Sequence, residues 1–384
     1  MNPLQITIKF AVTNINIGTF INMNNSSIDY LIIGQGLAGT VLSHLLLEKG
    51  FKVHVIEEYK KNSATRIAAG VFNPVTYRKL KMAEFADVLI PEVFDYYPKI
   101  EKIIQQKIFT EASFLKLITD IEELNNWQIQ SENLKNKPFM SQDIYKNDFE
   151  NTIKSPFGAG QVLQSGIVKL SILIDFWKEF LLSNDHFTDD KLDYSQLKIT
   201  TDSVTYKNLT AKNIVFCEGV GILNNPWFNW LPMQQFKGEV LEISAPTLKL
   251  DRIVNRGVFV LPLANGNFKI GATHDWKNTD ELITEAGKKE LTDKLDNFIN
   301  VPYKVVGHHA GLRPATRDRH PYIGVHPKHE NLFIINGLGS KGVIMAPWLI
   351  KTFIDGLDQK TWPKGFDINR YLRFYTETKT NEKD

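Results

Sequence analysis

Short apolar runs that end in glycine recur along the chain and alternate with stretches of helical period. The first, Tyr30-Leu31-Ile32-Ile33, passes through Gly34-Gln35-Gly36-Leu37-Ala38-Gly39 into an apolar-periodic stretch ending at Leu47, a pattern that predicts strand, tight turn and helix. Lys52-Val53-His54-Val55-Ile56 is β-branched and ends at Glu57, as a second buried strand should. Ala211 to Gly219 and Asn331 to Val343 repeat the strand-to-glycine junction. Elsewhere the pattern changes. Phe85 to Tyr97 and Ile100 to Ile108 have helical period, and Phe114 to Thr119 is strand-like. Gly238 to Ile243, Gly257 to Pro262 and Phe268 to Ala272 read as neighbouring antiparallel strands, with Asn265-Gly266 as a hairpin turn and Thr279 to Phe298 as a helix packed on them. The expected class is α/β: a Rossmann-like domain with a second α+β domain built on an antiparallel sheet.

Composition adds mainly exclusions. The 384 residues exceed the ~100–200 of a single domain. Hydrophobic residues at 43% and charged residues at 23% exclude wholesale disorder or a fibre. With 45 Lys+Arg against 43 Asp+Glu, a net charge of +2 gives no global basic field for nucleic acid or an anionic membrane. No window approaches the ~18–20 apolar residues of a membrane span. The single cysteine, Cys217, excludes an intramolecular disulfide and any Cys-rich metal or iron–sulfur site, so no metal is expected and a reducing, cytoplasmic home fits. Residues 1–27 hold one Lys and no Arg, a poor signal peptide; they are expected to be a disordered extension, or to precede a natural start at Met23.

The first glycine turn carries chemistry. Gly34 permits the tight turn, Gly36 lets backbone approach a pyrophosphate, and Gly39 lets the helix pack on the strand. The helix N-terminus, with Leu37 and Ala38, offers N–H groups and the positive dipole end to the anion. Glu57 lies 18 residues after Gly39, near the ~20 expected for an acid that accepts ribose hydroxyls. An acid there, where an Arg would hold a 2′-phosphate, argues against NADP. The ligand is therefore a dinucleotide, and the fingerprint alone does not separate NAD from FAD.

Together with that fingerprint, the Arg66-to-Pro74 stretch, the Ile214-to-Gly219 strand, Gly311-Leu312-Arg313-Pro314 with Asp318 to Gly324, and Gly337 to Pro347 resemble the D-amino-acid oxidase superfamily of FAD-dependent oxidoreductases, especially its glycine and sarcosine oxidase branch. The resemblance spans roughly residues 28–354. It implies FAD and amine chemistry without NAD. It places the Ala68, Ala69, Gly70 and Val71 backbone beside the flavin ring, Val215 to Gly219 toward the adenosine side or diphosphate turn, and Gly339, Ser340, Lys341, Gly342 and Val343 at the pyrimidine end, with Arg66 and Gly337 also expected to bind the cofactor. Gly337 to Gly342 also matches the dinucleotide pattern formally, but only 42 residues follow it, too few for a second such domain. Relatives with tethered flavin use a cysteine near the C-terminal motif or a histidine near Ala68-Ala69-Gly70; here neither stands, so noncovalent FAD is expected. The expected organisation is an FAD-binding domain of residues 28–81, 150–225 and 305–355, a substrate domain of 82–149 and 226–304, and a tail of 356–384.

On the substrate side the resemblance points to Arg313 as the clamp for a substrate carboxylate, a task that suits a planar guanidinium fork. The alternative is a structural Arg paired with Asp318. Phe259 falls where glycine oxidases place a tyrosine that contacts the carboxylate, which disfavours glycine and favours a bulkier or less polar amine. Adjacent strand residues point to opposite faces, so His308 and His309 cannot jointly chelate, and His309 is the one taken to face the pocket. Lys341 is either a positive charge near the flavin or an exposed loop lysine. His274 and Asp275 are read as a loop cap at the pocket rim. The implied reaction is oxidation of a primary or secondary amine alpha to a carboxylate, an amino acid or N-substituted glycine, with oxygen or an electron carrier as acceptor. Two alternatives stand beside it. One removes the carboxymethyl group from a modified tRNA wobble uridine, with tRNA as partner; the other is a non-enzymatic flavoprotein with a closed pocket. Neither acceptor nor oligomeric state is readable.

Overall fold

The computed structural model describes residues 28–77, 80–146 and 149–375. The expected N-terminal extension, and residues 376–384 of the expected tail, lie outside them.

Strand β1 (Ile28–Ile33) runs into helix α1 (Leu37–Glu48) and then strand β2 (Val53–Glu57), as the pattern predicts. Leu31, Ile32, Val53 and Val55 are wholly enclosed, each burial contributing roughly 1.5–3 kcal/mol. Both β2 and β3 (Leu209–Phe216) pair in parallel with β1, and His329–Asn336 pairs in parallel with β3. Four strands therefore end in glycine loops or Glu57 on the same edge, the carboxyl-end crevice where doubly wound sheets bind ligands. Helices Ala86–Ile104, Leu170–Ser183 and Gly342–Asp355 join α1 in one apolar core with this sheet.

The second large sheet is mostly antiparallel. Its long strand β4 (Met233–Ser244) pairs with the hairpin strand β6 (Phe268–Gly271), which pairs with β5 (Phe259–Pro262), and on its other side with β7 (Lys304–Thr316). Gly266, at φ +81°, makes the expected turn. Helix Glu285–Asp296 packs on β4. Its first turn is capped by Thr284 and its approach is fixed by buried Glu239, which accepts from the Thr284 amide and hydroxyl.

The chain departs from expectation at four places. The two helical stretches between 85 and 108 form one helix, Ala86–Ile104, which accommodates Pro91 and Pro98. The stretch expected as helix from Thr279 begins only at Glu285, because buried Lys237 holds Asp280 and the Leu282 carbonyl in an irregular loop. Strand β7, expected with the first sheet, pairs along its length with β4, and Ala159–Val162 also joins the second sheet. Residues 356–375, expected as a tail, are packed: Trp362 and Phe366 enter the main core, and Ile368, Tyr371 and Tyr375 a second one.

Candidate active site

A cavity of about 800 Å³ runs along the edge where the glycine junctions meet and continues under the second sheet. One end is lined by Gly34, Gly36, Leu37, Ala38, Glu57, Lys60, Asp190 to Leu192, Tyr194, Glu218 and Gly219. At Gly34, φ is +100° and a Cβ would stand 2.5 Å from the Cys217 carbonyl oxygen, so only glycine serves. Gly39 does not line the cavity; a Cβ there would fall 1.8 Å from the Gly34 carbonyl oxygen, so its task is to seat α1 on the turn. No side chain caps α1, and Thr65 accepts from the Leu37 amide at 3.2 Å. The Gln35 amide donates to Glu57 Oε2 at 2.8 Å, and among the described residues nothing bonds Oε1. Burial pushes the Glu57 carboxyl above its ordinary range, and the Gln35 amide opposes that shift.

The middle of the cavity is backbone. Ala68, Ala69, Gly70 and Val71 line one wall, and Gly339, Ser340, Lys341, Gly342 and Val343 another, where helix Gly342–Asp355 starts without a side-chain cap. This glycine cradle, two uncapped helix starts and an acid with a free oxygen fit a dinucleotide carrying a flat ring system. Arg66 and Gly337 do not line it. Arg66 pairs with Asp175 at 2.5 Å and lies over Tyr59, and Gly337, at φ +79°, makes a turn against Thr316. Cys217 is buried, its thiol pushed well up by burial.

At the far end stand Gly238, Val240, Phe259, Gly271, Ala272, His274, Lys294 and Arg313. Arg313 donates to the Thr273 carbonyl at 3.3 Å and lies 5.0 Å from the centre of the Phe236 ring. Its guanidinium occupies the space over Gly238, where a Cβ would come within 2.0 Å of Nη1. Burial lowers its pKa to about 10, which leaves it charged at neutral pH. Asp318 is not its partner: that carboxylate accepts from Arg370 Nε at 2.8 Å. Among the described residues no carboxylate pairs with Arg313, so an enclosed cation faces the cavity unneutralised.

His309 is corrected. It is exposed and does not line the cavity, while His308 turns to the opposite face toward Glu239 at 2.7 Å. Strand parity forecast the opposition of the two rings, but not which of them would face where. His274 does line the cavity, stacked on Phe236, and burial and the Arg313 charge lower its pKa. The sequence reading passed over Gly238, Thr65 and Tyr194, and gave the Glu218 side chain no role of its own. A glycine inside an alternating strand was the available signal for Gly238, since it marks close approach by another group. Pro314, next to Arg313, reaches the first end of the cavity: a Cβ at Gly219 would lie 3.8 Å from its Cγ, and one at Gly339 would lie 3.8 Å from its carbonyl oxygen.

The family model described as FAD dependent oxidoreductase matches residues 190–355, and that described as FAD binding domain matches residues 27–94. The chain belongs to the FAD-dependent oxidoreductases of the D-amino-acid oxidase superfamily. FAD is accordingly its cofactor. Among relatives of this oxidoreductase, glycine oxidase of Bacillus licheniformis is 24% identical over 379 residues, covering 89% of this chain and 97% of that one. The tRNA 5-methylaminomethyl-2-thiouridine biosynthesis bifunctional protein MnmC of Marinobacter nauticus is 27% identical over 365 residues, covering 86% of this chain and 55% of that one. The crystal structure of glycine oxidase from Geobacillus kaustophilus shares the fold, with a TM-score of 0.70 at 18% identity over 90% of this chain and 98% of that one. Among the described residues no helix is long and apolar enough to cross a membrane, and no cluster of side chains is suited to a metal ion.

Proposed function

We propose that this oxidoreductase oxidises a primary or secondary amine alpha to a carboxylate, releasing an imine that water hydrolyses. The observation that carries this reading is the enclosed Arg313 guanidinium, which faces the cavity without a carboxylate partner among the described residues. A substrate carboxylate supplies the missing charge through a bidentate contact. Stacking on Phe236 and the Thr273 carbonyl hold the fork in place, so the carboxylate fixes the α-carbon in the cavity. FAD, bound noncovalently along the Gly34-to-Ala38, Ala68-to-Val71 and Gly339-to-Val343 walls, supplies hydride-accepting chemistry. The protein's part is orientation. The Phe259 ring offers apolar contact in place of a second hydroxyl clamp, which favours amines bulkier than glycine. On this reading the first sheet and its helices serve the cofactor, and the second sheet serves the substrate.

The test is anaerobic photometry of the bound flavin against amino acids and N-alkyl glycines. At least one should bleach the flavin, and Arg313→Ala should weaken its binding about 100-fold or more, since hydrogen bonds to a charged partner are each worth roughly 1.5–3 kcal/mol. Retained FAD with unchanged substrate affinity would remove Arg313 from the site. The relative from M. nauticus supports a second reading, removal of a carboxymethyl group from tRNA, although the chain spans only 55% of that protein's length. Failure to bind tRNA at low salt sinks it. The open cavity speaks against a closed-pocket flavoprotein.

A further inference from the structure

Glu57 is not the sole carboxyl at the dinucleotide end of the cavity: Glu58, Asp190 and Glu218 line it as well. Glu57 belongs to the fingerprint, whereas Glu218 has no role in it. Glu218 follows Cys217, whose carbonyl presses on the Gly34 turn, and its own amide nitrogen would lie 3.3 Å from a Cβ at Gly34. The residue therefore stands at the turn that approaches the pyrophosphate. We infer that Glu218 is a cofactor-positioning residue whose carboxyl must be neutral when FAD binds, so that cofactor and proton are held together.

The hydrogen bonds around the carboxyl fix its orientation, and as two donors they favour the carboxylate, so the neutral form depends on burial and on the charges that share its wall. Asn225 Oδ1 accepts from the Trp227 and Phe228 amides at 2.9 and 3.1 Å, which fixes the orientation of the Asn225 amide. Its Nδ2 must then donate to Glu218 Oε2, at 2.7 Å. The other oxygen, Oε1, accepts from the Tyr194 hydroxyl at 2.5 Å, and that hydroxyl can also accept when Oε1 carries a proton. With Glu218 neutral, Oε1–H donates to Tyr194, and the tyrosine proton is released toward the cavity that Tyr194 lines.

The charges facing Glu218 favour the same form. Burial is the largest influence and raises its pKa to about 7 against the Tyr194 and Asn225 hydrogen bonds, which lower it; Glu57 on β2 adds to the rise, and Lys60 opposes. Lys60 itself lies 4.0 Å from Glu58. On the neighbouring loop, Asp190 is paired with Lys207 at 2.5 Å, and Lys191 lines the cavity. The Cys217 thiol, on the preceding residue, is neutral. An ionised Glu218 would share this enclosed wall with Glu57 and the doubly charged diphosphate. Cofactor binding therefore works against ionisation. Below pH 7 the group is already protonated and affinity is constant; above it the apoprotein must take up a proton, and affinity falls by at most about tenfold per pH unit.

The inference rests on the FAD assignment and is independent of which amine is oxidised. Full-length apoprotein titrated with FAD by flavin fluorescence should give a constant Kd from pH 6 to 6.5, rising about tenfold or more by pH 8.5. In Glu218→Gln the amide can donate to Tyr194 and accept from Asn225, which reproduces the neutral arrangement, so its Kd should stay flat and near the wild-type value at pH 6. A flat wild-type profile, or a Glu218→Gln protein with the wild-type slope, overturns the inference. Should Glu218→Gln fail to fold, calorimetry of wild-type FAD binding at pH 8 in buffers of different ionisation enthalpy decides. Uptake approaching one proton per FAD supports the inference, and no uptake overturns it.

Discussion

The two ends of the cavity are built from different materials. At the dinucleotide end the contacts are chiefly backbone: glycine turns, the uncapped start of α1, and Glu57 held by the Gln35 amide. At the other end they are side chains on strands far apart in sequence, Phe259 on β5 and Arg313 on β7, with Gly238 on β4 leaving the space that the guanidinium fills. A backbone site tolerates little change, because its geometry is the fold itself. A side-chain site can be altered one group at a time while the scaffold stands.

Substitutions should separate the ends in that order of severity. Gly39→Val should be the most damaging, since even a Cβ would penetrate the Gly34 carbonyl; purified protein is expected to lose bound flavin and several kcal/mol of stability, as thermal melts and flavin absorbance would report. A Gly39→Val protein with normal flavin content and melting temperature would break the contrast. Gly238→Ala is next. Its methyl group would displace the Arg313 guanidinium, so substrate affinity should fall by roughly tenfold, about 1.4 kcal/mol, with FAD affinity unchanged. Loss of both affinities together would show that the ends are not independent. Phe259→Tyr should have the smallest effect, a few-fold shift in kcat/KM toward smaller, more polar amines, measured with glycine against N-alkyl glycines.

The same division explains what the sequence revealed. Strand, glycine turn and helix are contiguous between Tyr30 and Leu47, so periodicity and turn chemistry sufficed to place them. Arg313 is singled out by its motif, yet its surroundings are not: Thr273 is 40 residues away, and Gly238 is brought beneath the guanidinium only by the register of β4 against β7. Arg66 shows the opposite failure. Its position in the chain suggested the flavin, but Asp175, on a helix more than a hundred residues later, takes its charge. The packed residues 356–375 were missed because Trp362, Phe366 and Ile368 lie apart in an irregular, polar stretch without strand or helix period.

Pro314 gives this layout a further meaning. One unbroken strand carries Arg313 and, at the next residue, reaches the two cavity-lining loops at Gly219 and Gly339. On the proposed function, the interval between anion clamp and cofactor is thus set by covalent peptide geometry, about 3.3 Å for each residue step along the strand. Lineages of this enzyme could exchange Phe259 or His274 to admit new amines without recalibrating that interval, whereas a one-residue insertion beside Arg313 would turn the clamp to the other face and silence every substrate at once.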